Sequence, residues 1–153
     1  MPWPGNGSRC HRHLTSTFEP MARLFRVILP VGDIERAQTF YAAVLGQPGQ
    51  RVSPGRHYFD CEGTILACYD PKADGDPQEA RPLPEPIYLA VEDLEATYAR
   101  AREAGAAFSP EDIPDVGPLG EIARRPWGEI SFYASDPFGN PLCFVSRETV
   151  FQG

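Results

Sequence analysis

His57 is the one histidine of this chain beyond its first twenty residues, and it stands between Arg56 and Tyr58. An imidazole titrates near neutral pH, so His57 is the candidate catalytic group for proton transfer. No acid lies at a fixed spacing to orient it, and a structural histidine is the competing reading. Cys143 is a candidate nucleophile or redox thiol, a role that needs a nearby cation to favour the thiolate. In a packed core the same residue is filler. Cys10-His11-Arg12-His13 gathers three metal-binding side chains. No second cluster follows at a spacing that would complete a site, which argues against zinc there. Trp127, within Arg124-Arg125-Pro126-Trp127-Gly128, is either a lid over a pocket or an interface anchor.

The elements that must hold these groups follow from an internal repeat. Arg26-Val27-Ile28-Leu29-Pro30-Val31-Gly32-Asp33-Ile34-Glu35 aligns with Pro86-Ile87-Tyr88-Leu89-Ala90-Val91-Glu92-Asp93-Leu94-Glu95 at an offset of sixty. In each copy an alternating apolar run predicts a strand, and Asp33 or Asp93 is placed to cap the helix that follows. Ile34, Ala37, Tyr41, Val44 and Leu45 recur at helical spacing before Gly46. Leu94, Tyr98, Ala101 and Ala104 do the same before Gly105. The first half then reads as strands at Gln50–Ser53, Arg56–Cys61 and Thr64–Tyr69. The second reads as strands at 107–109, 120–125, 129–135 and 141–146. The turn Asp136-Pro137-Phe138-Gly139-Asn140 joins the last two. The expected fold is α+β, with two tandem βαβββ modules at 21–72 and 86–153. A proline-rich linker covers 73–85, and a loose extension covers 1–20, with Met21 a natural alternative start. Neither module alone buries much core, so the two must share one.

Composition narrows the partners. The formal net charge is −7 over 153 residues. An acidic surface disfavours nucleic acid and anionic membranes. No apolar stretch is long enough to span a bilayer, and no signal-peptide core opens the chain. Cys10, Cys61, Cys68 and Cys143 lack paired-ligand spacing, so free thiols in a reducing cytoplasm are expected.

The chain resembles the vicinal oxygen chelate superfamily, which groups glyoxalases, bleomycin-resistance proteins and extradiol dioxygenases. The resemblance rests on Val31-Gly32-Asp33-Ile34-Glu35 with Phe40-Tyr41, and on Ser131-Phe132-Tyr133 leading into Asp136-Pro137-Phe138-Gly139-Asn140-Pro141. It extends over nearly all of the chain from Met21 onward. It implies a cupped mixed sheet and a homodimer. It also implies metal ligands on the first and last strands of each module, which in the family are His, Glu or Gln. The corresponding positions here hold Arg26, Pro86, Cys143 and Ala67, with Leu66 or Cys68 for a one-residue slip. Arg26 has no lone pair to donate, Pro86 and Ala67 have no donor atom, and one thiolate makes no site. The expectation is therefore no metal and no other cofactor.

Strand alternation assigns faces to that cup. With residue 26 turned inward, Ile28, Pro30, Ile65, Ala67 and Tyr69 accompany it. Tyr88, Ala90, Pro141, Cys143 and Val145 do so in the second module. The candidate ligand-binding set is Arg26, Tyr69, Tyr88, Trp127, Tyr133 and Cys143. Arg26 either clamps a carboxylate or phosphate or pairs internally with Asp60 or Glu62. The implied function is binding or sequestration of an aromatic or anionic small molecule. The alternative is a glyoxalase-like lyase or isomerase using His57, a tyrosine or a recruited metal.

Overall fold

The computed structural model describes residues 21–152. Strand β1 (Arg26–Pro30) leads into helix α1 (Ile34–Leu45), followed by β2 (Gln50–Ser53), β3 (Arg56–Cys61) and β4 (Thr64–Tyr69). These strands form a sheet in the order β1-β4-β3-β2, with β1 and β4 parallel and the remaining pairs antiparallel. The second module repeats the plan with β5 (Ile87–Val91) and helix α2 (Leu94–Glu103). Its strands β6 (Ala107–Phe108), β10 (Ile130–Ser135) and β11 (Pro141–Ser146) give the order β5-β11-β10-β6, with β5 and β11 parallel.

The helices start where the sequence provides caps. The Asp33 carboxylate accepts from the Arg36 amide at 3.1 Å, and Asp93 accepts from the Ala96 amide at 2.9 Å. Each satisfies one of the donors that the first helical turn leaves unpaired. Gly46 ends α1 in the left-handed conformation, φ 70°, and returns its amide to Ala42.

Between β6 and β10 the second module departs from the expected plan. The expected strand at 120–125 shrinks to β9 (Ala123–Arg124), and a small hairpin of β7 (Asp112–Ile113) and β8 (Gly117–Pro118) precedes it. The edge of β10 is paired in relay. Ala134 faces Phe108, the Tyr133 amide donates to the Leu119 carbonyl at 2.7 Å, and Ser131 faces Ala123. The segment between Ser109 and Gly120 is thus an excursion that leaves the sheet edge and returns to it. Its two ends close so tightly that a Cβ on residue 120 would run into the Ser109 carbonyl, so only glycine fits there.

One core serves both modules. Leu29, Val31, Tyr41, Phe59 and Cys68 of the first join Phe132, Leu142 and Phe144 of the second, all at 1% exposure or less. Each such side chain stabilises the fold by about 1.5–3 kcal/mol relative to exposure. The 136–140 turn fastens the modules together. Asp136 accepts from the Tyr41 hydroxyl of α1 at 2.7 Å and from the Asn140 side-chain amide at 2.9 Å. The same Asn140 amide donates to the Pro30 carbonyl at 2.7 Å, and its oxygen accepts from the Leu83 amide at 2.8 Å. Both residues are buried, with their polar atoms satisfied. A second tie at the other end links Arg147 to Glu62 at 2.8 Å. The two sheets are not hydrogen-bonded to each other. The edges of β1 and β5 flank a groove of about 970 Å³ lined by Val27, Leu45, Leu66, Ile87, Leu89 and Arg100. No helix of the described residues is long and apolar enough to cross a membrane.

Candidate functional site

Strand register sorts the side chains onto two faces. Leu29 lies beside Cys68, and Cys68 beside His57. All three are buried, on the face that carries the helices. Ile28 lies beside Ala67, and Ala67 beside Tyr58. This row belongs to the other face, where Ile28 is 39% exposed. The equivalent row of the second module is Tyr88, Cys143 and Tyr133. These two rows, sixty residues apart at Ile28 and Tyr88, lie on the open face, the side of their sheets turned away from the helices.

Arg26 stands on this open face beside Ile65, at the exposed start of β1. Its guanidinium lies 5.0 Å from the Phe25 ring centre and 5.3 Å from that of Tyr58. Neither acid considered for it is its partner. Glu62 is held by Arg147, and an Asp60 oxygen accepts from the Gly63 amide at 2.7 Å. Among the described residues no carboxylate lies within 4.0 Å of Arg26. Tyr69 stacks under the Arg56 guanidinium at 4.2 Å, and its hydroxyl donates to Asp76 at 3.1 Å.

Tyr88 is 58% exposed and meets the Tyr133 ring edge-on at 6.3 Å. Burial raises the Tyr133 hydroxyl well above the ordinary tyrosine range, and hydrogen bonding to Tyr88 raises it further. Tyr133 is therefore a neutral donor, not a base, near pH 7. Cys143 is fully covered between the two tyrosines. Burial pushes its thiol up to about 11, partly offset by hydrogen bonds to Tyr133 and Ser131. A thiol so protonated is a poor nucleophile. The cation acting on it is Arg125 rather than Arg26.

His57 is turned away from this face. The His57 ring is 2% exposed on the helix side, with Nε2 2.9 Å from the Pro48 carbonyl and Nδ1 3.3 Å from Arg51 Nε. The tautomer protonated at Nε2 serves both contacts, which leaves no free nitrogen for proton transfer. Trp127 sits at the tip of the turn between β9 and β10, 56% exposed, its indole donating to Glu129 at 3.0 Å. Cys61, Cys68 and Cys143 are free thiols. Cys10, His11 and His13 lie outside the described residues.

Arg125 carries structural weight that the sequence reading did not assign to it. Its side chain is 2% exposed. Its Nε donates to Ser131 Oγ at 3.0 Å, and its terminal nitrogens donate to the carbonyls of Val116, Pro118, Leu119, Glu121 and Ser131 at 2.9–3.3 Å. The guanidinium also lies 5.6 Å from the Tyr133 ring centre. Parity could have found it, since residues 123, 125, 131 and 133 share a face once β9 is paired with β10. The hairpin that supplies the carbonyls had no periodic signature.

The donor set does not fit the metal of the related enzymes. Among the described residues no group of three His, Cys, Asp or Glu side chains converges as ligands. The positions that would carry them hold Arg26, Ala67, Pro86 and Cys143, and Cys143 is a thiol enclosed by aromatic rings.

Repeat, topology and open face together define a paired-module protein of the glyoxalase type, and the family model for the Glyoxalase/Bleomycin resistance protein/Dioxygenase superfamily matches residues 23–144. The chain belongs to that superfamily. Solved relatives share the fold at low identity. A glyoxalase-related enzyme from Fulvimarina pelagi is 18% identical, with TM-score 0.66, over 87% of this chain and 94% of its own. A glyoxalase/bleomycin resistance protein from Albidiferax ferrireducens T118 is 21% identical, with TM-score 0.62, over 80% and 96%. A lactoylglutathione lyase from Agrobacterium tumefaciens is 18% identical, with TM-score 0.59, over 84% and 96%. No curated protein matches the sequence.

Proposed function

We propose that the protein binds a small aromatic anion on its open face without a metal, and that Arg26 is the anchor for the negative charge. The observation that carries this reading is the state of Arg26. It is a permanent cation beside aromatic rings, with no acid partner among the described residues. A guanidinium so placed offers its fork to a carboxylate, sulfonate or phosphate, while Phe25, Tyr58 and Tyr88 supply flat surfaces for a ring. Turnover is not part of the reading, because His57 faces the core and the Cys143 and Tyr133 side chains hold their protons.

The reading extends to assembly and place. Leu24, Phe25, Ile28 and Tyr88 are exposed apolar side chains on or next to β1 and β5. A homodimer would cover part of that surface. Free thiols suit a reducing cytoplasm. Sedimentation should give twice the chain mass; a monomer at micromolar concentration would remove the dimer from the proposal.

The binding test uses benzoate and 8-anilinonaphthalene-1-sulfonate in calorimetric titration. Wild-type protein should bind both more weakly as salt rises. Arg26→Ala should lose at least tenfold in affinity, and Arg26→Lys should recover part of it. Equal binding by Arg26→Ala, or one equivalent of zinc, nickel or iron held on the open face of natively purified protein, would overturn the proposal.

A further inference from the structure

The open face is not equally open in its two halves. In the first module the register-equivalent pair, Arg56 and Tyr69, is partly exposed. In the second, Ser131 and Val145 face one another on the same side of the sheet and are 1% and 3% exposed. Their strand neighbours give them little cover. Ala90 lies on the far side of Val145, and Ala123 on the far side of Ser131. The cover comes from above the sheet, where the Arg125 guanidinium meets Ser131 and draws in the backbone of residues 116–121.

We infer that Arg125 is a positioning residue that sets the size of ligand the open face accepts, by clamping the 110–119 excursion and its return at Glu121 over the second module's half of that face. The inference rests on the proposed binding role of the face and adds to it a determinant of selectivity. Its physical basis is the partner list. Arg125 is buried without a carboxylate within 4.0 Å among the described residues, and the partial negative charge of five carbonyls stands in for one. Four of them belong to the excursion and its return to the sheet, and the fifth is that of Ser131 on β10. A single side chain therefore adds five hydrogen bonds to the backbone contacts that Leu119 and Gly120 already make. Lysine cannot replace it, because a point charge with three donors cannot reach five carbonyls spread around a planar fork. The ligand's footprint then lies over Arg26, Tyr58, Ile28 and Tyr88. Releasing the clamp would extend it toward Tyr133 and Cys143.

Cys143 reports the clamp through Tyr133, its strand neighbour, whose ring centre lies 5.6 Å from the Arg125 guanidinium. Iodoacetamide labelling followed by peptide mass mapping separates it from Cys68, which is buried in the shared core. In Arg125→Gln, Cys143 should label at least tenfold faster than in wild type while Cys68 keeps its protection. Arg125→Lys should fall between the two. If Cys143 stays as protected as in wild type, or if both thiols open together in both variants, the clamp is overturned, the second result assigning Arg125 to the core as a whole. The two anions supply the selectivity readout. Arg125→Gln should bind the larger 8-anilinonaphthalene-1-sulfonate at least fivefold tighter and leave benzoate unchanged. An unaltered preference in a variant whose Cys143 has opened would overturn the selectivity role. Should wild-type protein bind neither anion, the binding proposal fails while the labelling still decides the clamp.

Discussion

At the scale of single residues, position on a strand outweighs residue type. His57 is the side chain with the most suggestive chemistry, yet its odd register beside Cys68 turns it onto the helix face. There it links β3 to the Pro48 carbonyl and to Arg51. His57→Ala should cost about 1–3 kcal/mol, the range for leaving buried partners unsatisfied. Urea melts measure this, and ligand affinity on the open face should not change. Arg26, across β4 and of even register, is turned outward and has no acid partner among the described residues. The family resemblance puts Arg26 among the candidates, while alternation leaves His57 undetermined, because its facing depends on where β3 joins β4. The Glu62-Gly63 turn fixes that register by pairing Cys61 with Thr64.

At the scale of elements, the parts with a period were readable and the parts without one were not. Strands β1 to β4 and both helix caps follow from alternation and from Asp33 and Asp93. The excursion at 110–119 has neither period, and is held by carbonyls meeting Arg125 and by the close approach of Gly120 to Ser109. Backbone contacts of that kind leave no side-chain pattern to read. The 136–140 turn was legible as a turn, but its work was not. Its Asp136 and Asn140 side chains bond across the modules to Tyr41 and Pro30. Tyr41→Phe keeps the ring in the core and removes the hydroxyl that Asp136 accepts from. The loss should be about 1–3 kcal/mol, since a buried acceptor loses a donor. It should appear as a lower midpoint with an unchanged denaturant slope.

At the scale of the molecule, the shared core makes stability depend on groups that must stay neutral. Burial pushes the Cys68 thiol up to about 12 and that of Cys143 to about 11, from 9.0 for a free thiol. Burial and the neighbouring Asp136 also hold the Tyr41 hydroxyl well above its usual range. In the unfolded chain the thiols ionise first, so above about pH 9 the unfolded state binds fewer protons than the native state. Stability should be complete below that pH and fall as pH rises toward 11–12. Melts from pH 7 to 10.5 should show the decline, and Cys68→Ala should flatten it after its own cavity cost is subtracted. A stability flat to pH 10.5 would contradict the burial of these thiols.

The bond from Asn140 to the Pro30 carbonyl joins positions 110 apart in sequence, and that from Tyr41 to Asp136 joins positions 95 apart. Chains fold as they are made, with the earlier portion emerging first. The first module therefore leaves the ribosome with its Tyr41 hydroxyl and the end of β1 waiting for a turn not yet synthesised. Until the β10–β11 hairpin arrives, the apolar face of its sheet lacks the cover of Phe132, Leu142 and Phe144. A nascent chain stalled before Asp136 should be cut by protease far more readily than one stalled after the β11 sequence has emerged. The final hairpin is thus the step that commits the whole chain.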